Sequence, residues 1–156
     1  MSEEPQGSLR PTSPAALTAF AVVGLVCGWL VRRIFAAVDL VAPLVTWTQG
    51  LVLLVAAAAL AGTAYVTTRQ VAEPVRRPQS HQLVNRLVLA RASALVGALL
   101  AGAYAGYAVS WLGSLAELAE QRALRSAVAA IAGVTVTAAA LWLERACRVS
   151  SDDESA

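Results

Sequence analysis

The residues of this chain that could carry out acid–base chemistry are few and widely spaced. The single histidine, His81, lies in a polar segment eight residues after Glu73, and a long apolar stretch separates Asp39 from both. Hydrolysis or group transfer requires an acid, a base or metal ligands close together in one site. We therefore predict that the protein is not an enzyme and has no catalytic residue, no metal site and no cofactor.

The two cysteines do not indicate metal or redox chemistry. Cys27 and Cys147 lie in different apolar stretches, and neither belongs to a CxxC pair or has a histidine partner. A disulfide would need Cα atoms about 4.4–6.8 Å apart, and the arrangement predicted below places the two residues at different depths. We expect both thiols to be free and to pack as small apolar side chains.

Arginine side chains are the remaining candidates for chemistry, as binders of anions. All twelve basic residues are arginine, and a guanidinium can bind a carboxylate or a phosphate through paired N–H donors. The net charge of +2 is too small to indicate a nucleic-acid partner. The distribution of the arginines matters more than their number, and it depends on the elements that carry them.

Four long apolar stretches dominate the chain. They lie near residues 14–33, 44–66, 83–112 and 123–145. Each is long enough to cross the hydrocarbon core of a bilayer, which takes about 17–25 residues of helix. Because backbone N–H and C=O groups inside a bilayer must bond within their own segment, we predict an all-α fold, an integral membrane four-helix bundle.

Polar segments at both chain ends frame this domain. Residues 1–12 are predicted to be a disordered cytoplasmic tail, and residues 149–156 to be an acidic disordered tail. Residues 13–148 then form the four-span transmembrane domain. Glu144 and Arg148 are four residues apart at the end of the fourth span and are predicted to pair at the edge of the membrane.

The arginines also predict how the spans are oriented. Eight arginines fall on the side of the two chain ends, and four fall on the other side. Because arginine is enriched on the cytoplasmic side of membrane proteins, we predict that both termini are cytoplasmic. The adjacent pair Arg32 and Arg33 favours the opposite orientation. Three tryptophans lie at span ends on the outer side, at the half-hydrated depth that indole rings prefer: Trp29, Trp47 and Trp111.

Most of the terminal-side arginines form a predicted basic cytoplasmic face. We expect this face to contact anionic lipid headgroups or an acidic partner. The alternative is that these residues only set the orientation in the membrane. The face consists of Arg69, Arg76, Arg77, Arg86, Arg91, Arg145 and Arg148.

Small residues recur every fourth position in several spans. In membranes such stripes let two helix backbones approach closely, because no large side chain intervenes. We predict that they pack helices together, either inside the bundle or against a second copy or a membrane-protein partner. The predicted packing residues are Gly24, Gly28, Ala94, Ala98, Gly102, Gly106 and Gly133.

Three segments resemble a known family of small actinobacterial membrane proteins of unknown function. They are Pro43–Trp47, Asn85–Gly106 and Leu141–Arg148. The resemblance implies four spans, a multi-pass location in a bacterial plasma membrane and an actinobacterial source. Genes of this family often lie beside folate-biosynthesis genes. The resemblance implies no catalytic residue.

The centre of each span lacks ionisable side chains, which proton- or ion-coupled transporters generally place there. We therefore expect a non-enzymatic assembly or accessory module that packs through its small-residue helix faces. Its expected partners are membrane lipids with anionic headgroups and a second copy or another membrane protein, and not nucleic acid. The alternative is a small transporter or channel, as an oligomer.

Overall fold

The computed structural model describes residues 12–40, 44–72, 80–112 and 118–154, and within these ranges it contains four α-helices and no strand. They are α1 (Pro14–Ala37), α2 (Trp47–Ala72), α3 (Ser80–Trp111) and α4 (Ala119–Glu154). Each helix is long and apolar enough to cross a membrane. The predicted all-α, four-span fold is thus confirmed, and these helices indicate a multi-pass membrane protein.

Local chemistry explains both ends of α1. Pro14 occupies the first turn, where its missing N–H leaves no bond unmade, and Ser13 O accepts from Leu17 N at 3.2 Å. At the other end Asp39 adopts a positive φ of 53°, and Leu40 N donates to Phe35 O at 3.0 Å. This left-handed residue with a bond back to the last turn is a Schellman cap, which stops the helix.

Helix α4 extends further than the sequence predicts. It continues to Glu154 and so includes most of residues 149–156, for which a disordered tail was predicted. No glycine or proline follows Gly133, so no residue there terminates the helix. Its 36 residues exceed the roughly 20 that span a bilayer core, so α4 extends beyond the hydrocarbon.

The helices pack in the order α1–α3–α4–α2, because the extensive contacts are those of α1 with α3, α3 with α4, and α4 with α2. The residues that face each other show the relative directions of the helices. Gly24 faces Leu99 and Gly28 faces Ala103, so α1 and α3 are parallel, whereas Gly97 faces Thr137 in the antiparallel pair α3–α4. The chain therefore alternates in direction from helix to helix.

This alternation defines two ends of the bundle. The terminal end holds Thr12 and the last turns of α4, and the loop end holds Ala37, Trp47 and Trp111. Towards the terminal end, buried small residues of α2, α3 and α4 surround the fully buried Leu143. Towards the loop end, the core contains Tyr107 and Trp111, whose rings meet edge-to-face with centroids 6.0 Å apart.

Candidate functional site

The glycine stripes of α1 and α3 pack against each other. A Cβ at Gly24 would overlap the carbonyl oxygen of Leu99 and lie 2.9 Å from Ala103 N. A Cβ at Gly28 would overlap the carbonyl oxygen of Ala103. No side chain fits between these backbones, so glycine is required here for the observed helix separation.

The reciprocal contacts come from α3. A Cβ at Gly102 would overlap Ala21 O and lie 3.0 Å from Leu25 N, and one at Gly106 would overlap Leu25 O. Each helix therefore places two glycines against the backbone of the other. These two stripes are occupied inside the chain, which leaves them closed to a partner.

Helix α3 uses a second face against α4. Gly133 of α4 lies against Ala101, because a Cβ there would be 2.8 Å from Ala101 N. Ala94 and Ala98 of α3 are buried, at 0% and 6% exposure. The seven predicted packing residues are thus all buried within one chain. In contrast, a Cβ at Gly62 of α2 would meet nothing within 4 Å.

The predicted basic face at the terminal end divides into inward and outward arginines. Arg86 Nη1 donates to Thr67 Oγ1 at 3.0 Å and to Gln70 Oε1 at 3.2 Å, which ties α3 to α2. Arg69 and Arg145 are exposed, and the Arg69 guanidinium lies over the Tyr65 ring at 4.7 Å. Outside the described part of the chain are Arg76, Arg77 and the Arg148 side chain.

A buried carboxylate of α4 contacts α3 and the segment that precedes α1 at this terminal end. Glu144 is 3% exposed and accepts from Thr12 N at 2.7 Å and from the Thr12 hydroxyl. Arg91 Nε lies 3.6 Å from Glu144 Oε1. The predicted partner, Arg148, has its side chain outside the described residues. Sequence spacing could not reveal the contact with Thr12, because the two residues are 132 positions apart.

Arginines and tryptophans combine at the loop end. The guanidiniums of Arg32 and Arg122 lie over the Trp111 ring at 4.7 and 4.6 Å from its centroid. Arg33 lies over Trp29 at 4.7 Å. Arg125 lies over the Trp47 ring at 5.9 Å. Each of the three tryptophans predicted for this end therefore has at least one arginine guanidinium over its ring, a cation–π contact that attracts the charge to the ring.

One further contact positions this cluster. Arg32 Nη1 donates to Ser110 O, which supplies a partner for one of the last carbonyls of α3. Trp111 is 8% exposed, and its Nε1 has no hydrogen-bond partner within the described part of the molecule. The sequence reveals which residues are present at the loop end but not that α1 and α4 both contribute to the Trp111 ring.

Two hollows open near the loop end on different faces of the α1–α3 pair. One, of about 410 Å³, is lined by Trp29, Arg32, Arg33, Ser110 and neighbouring apolar side chains. The other, of about 200 Å³, is apolar and is bordered by Gly28, Val31, Val45, Gln49, Tyr104 and Tyr107, among others. The first combines two cations with an indole, and the second offers only amide and phenol groups as polar partners.

Comparison of the sequence with known protein families gives one match. A family model described as "Protein of unknown function (DUF3180)" matches residues 17–151, most of the chain. The chain belongs to the DUF3180 family. No curated protein and no solved structure matches it.

The family is one of unknown function, as the resemblance in the sequence implies, and it assigns no role to any residue of this DUF3180 protein. Within the described residues, no three acidic, histidine or cysteine side chains are grouped closely enough to hold a metal ion. Both thiols are free, with Cys27 exposed and Cys147 buried. Glu73 and the His81 side chain lie outside the described part of the chain.

Proposed function

We propose that this DUF3180 protein is a non-enzymatic accessory module of a bacterial plasma membrane, with both termini in the cytoplasm. Its terminal end would bind an acidic membrane-protein partner, assisted by anionic lipid headgroups. The observation that carries the proposal is the closure of the small-residue faces inside the chain. Since Gly24 and Gly28 are covered by α3, contacts with other molecules fall to the ends of the bundle and the outer helix surfaces.

The tight backbone contacts also argue against a path for solutes through a single chain. Glycine-mediated packing joins α1 to α3 and α3 to α4, so neither interface leaves room for water or an ion. The alternative function, a transporter or channel, would place its path outside these two interfaces, as between several copies of the chain.

Charge at the terminal end supports the accessory function. Arg69 and Arg145 are exposed there, whereas Arg86 and Arg91 contact groups of the bundle itself. An exposed guanidinium near a membrane surface attracts anionic lipid by about 1 kcal/mol and can form paired bonds with a carboxylate. Replacing the two exposed arginines should therefore weaken the binding of a partner without disturbing the packing of the bundle.

The test is purification from native membranes in mild detergent, followed by quantitative mass spectrometry of the proteins and lipids retained. We expect a stoichiometric acidic membrane protein with the wild type and several-fold less of it with the R69Q/R145Q double variant. The matched control is Arg125→Gln, which removes an arginine from the loop end. Equal retention by both variants, or a homo-oligomer that carries solute in liposomes, would contradict the proposal.

A further inference from the structure

The larger hollow at the loop end has the size and charge of an anion site. It lies between the last turns of α1 and α3 and has a volume of about 410 Å³, within the roughly 300–1,000 Å³ of small-ligand sites. Arg32 and Arg33 both border it, and no carboxylate is among the described residues that line it. We propose that this hollow binds the phosphate of an anionic phospholipid headgroup.

The two guanidiniums are held in place before any ligand arrives. Arg33 lies over the Trp29 ring, and Arg32 lies over Trp111 while it donates to Ser110 O. Contact with an aromatic face restrains a long side chain, so less conformational entropy is lost when it binds an anion.

The surroundings favour a lipid over a soluble anion. Trp29 lies near the end of α1, where an indole marks the interface between lipid and water. Val109 and Leu112 border the same hollow and are 53% and 70% exposed, which offers an apolar surface to an acyl chain. A phosphate between the arginines and an acyl chain along these residues would together match the amphipathic lining.

Location supports a binding role for these arginines. The loop end is the side that the positive-inside rule disfavours for arginine if the termini are cytoplasmic. Arg33 is exposed, and besides its ring contact with Trp29 it borders the hollow. An anionic ligand for Arg33 would explain why a positive charge lies at the loop end, where the positive-inside rule does not favour arginine.

The experiment measures lipid binding to the purified full chain by native mass spectrometry and by tryptophan fluorescence, to which Trp29 beside the hollow contributes. Short-chain phosphatidylglycerol, phosphatidylcholine and inorganic phosphate are titrated separately. We expect phosphatidylglycerol to bind preferentially and Arg33→Gln to weaken it about tenfold, the effect of one charge-assisted bond. Arg33→Lys keeps the positive charge but lacks the planar, paired N–H donors of arginine. Its affinity for phosphatidylglycerol should therefore lie between those of the wild type and Arg33→Gln.

Arg125→Gln is the matched control, because it removes the same charge from the same end without touching the hollow. Melting temperatures of all variants show that the bundle is intact. Equal losses in Arg33→Gln and Arg125→Gln would indicate unspecific charge attraction and would overturn the site. Phosphate binding that depends on Arg33, without phosphatidylglycerol preference, would overturn the lipid as its source. Absence of any binding that depends on Arg33 would overturn the proposal outright.

Discussion

Replacing Gly102 by alanine should separate α1 from α3. The new Cβ would overlap Ala21 O and lie 2.9 Å from Ala21 C and 3.0 Å from Leu25 N. Ordinary contacts of a Cβ begin at 3.4 Å. All three neighbours are backbone atoms, so no rotamer change can relieve the overlap, and α1 as a whole must shift.

The size of the effect follows from this shift. Forcing extra atoms into a packed interface costs about 1–3 kcal/mol, and a gap of roughly 1 Å forfeits up to half of the dispersion attraction along it. The better helix propensity of alanine returns at most about 1 kcal/mol. We expect a net loss of about 2 kcal/mol, which corresponds to a melting temperature lower by about 4–8 °C.

Gly62→Ala is the matched control. It makes the same substitution in the middle of α2, where a Cβ would meet nothing within 4 Å. The free energy of unfolding should change by less than about 1 kcal/mol, in the stabilising direction. Thermal unfolding of both variants in one detergent, followed by tryptophan fluorescence, measures the difference. If Gly102→Ala melts together with Gly62→Ala, the close α1–α3 packing is refuted.

Three further outcomes are expected. Asp39→Gly should stabilise the protein by about 1 kcal/mol in thermal unfolding, because glycine adopts the positive φ of 53° without strain; Asp39→Ala should not. Glu144→Gln should lower the free energy of unfolding by about 1–3 kcal/mol, whereas the exposed Glu120→Gln should change it by less than about 0.5 kcal/mol. Equal melting temperatures would refute a stabilising role for the buried Glu144 carboxylate. A water-soluble maleimide should label neither thiol in the folded protein, because Cys27 faces lipid in the middle of α1 and Cys147 is buried, and it should label both after unfolding, as mass spectrometry can show.

Composition and pattern by themselves determined that the protein is helical and built for a membrane. Length and hydropathy are local properties, and a bilayer leaves a long apolar segment no structure other than a helix unless a barrel closes. The same reasoning found the spacing of Gly102 and Gly106 and the tryptophans at span ends, because both patterns lie within single helices. Helix α4 continues to Glu154, beyond the predicted fourth span, since acidic composition alone does not stop a helix.

Only the tertiary structure decided which helix lies beside which. Glycine stripes occur in α1, α3 and α4, and nothing local shows that Gly24 and Gly102 belong to the same interface. The same holds for Glu144, whose contact with Thr12 spans 132 positions, and for Arg122, which shares the Trp111 ring with α1. These contacts depend on the complementarity of whole helix surfaces, which arises only when all four helices are packed together.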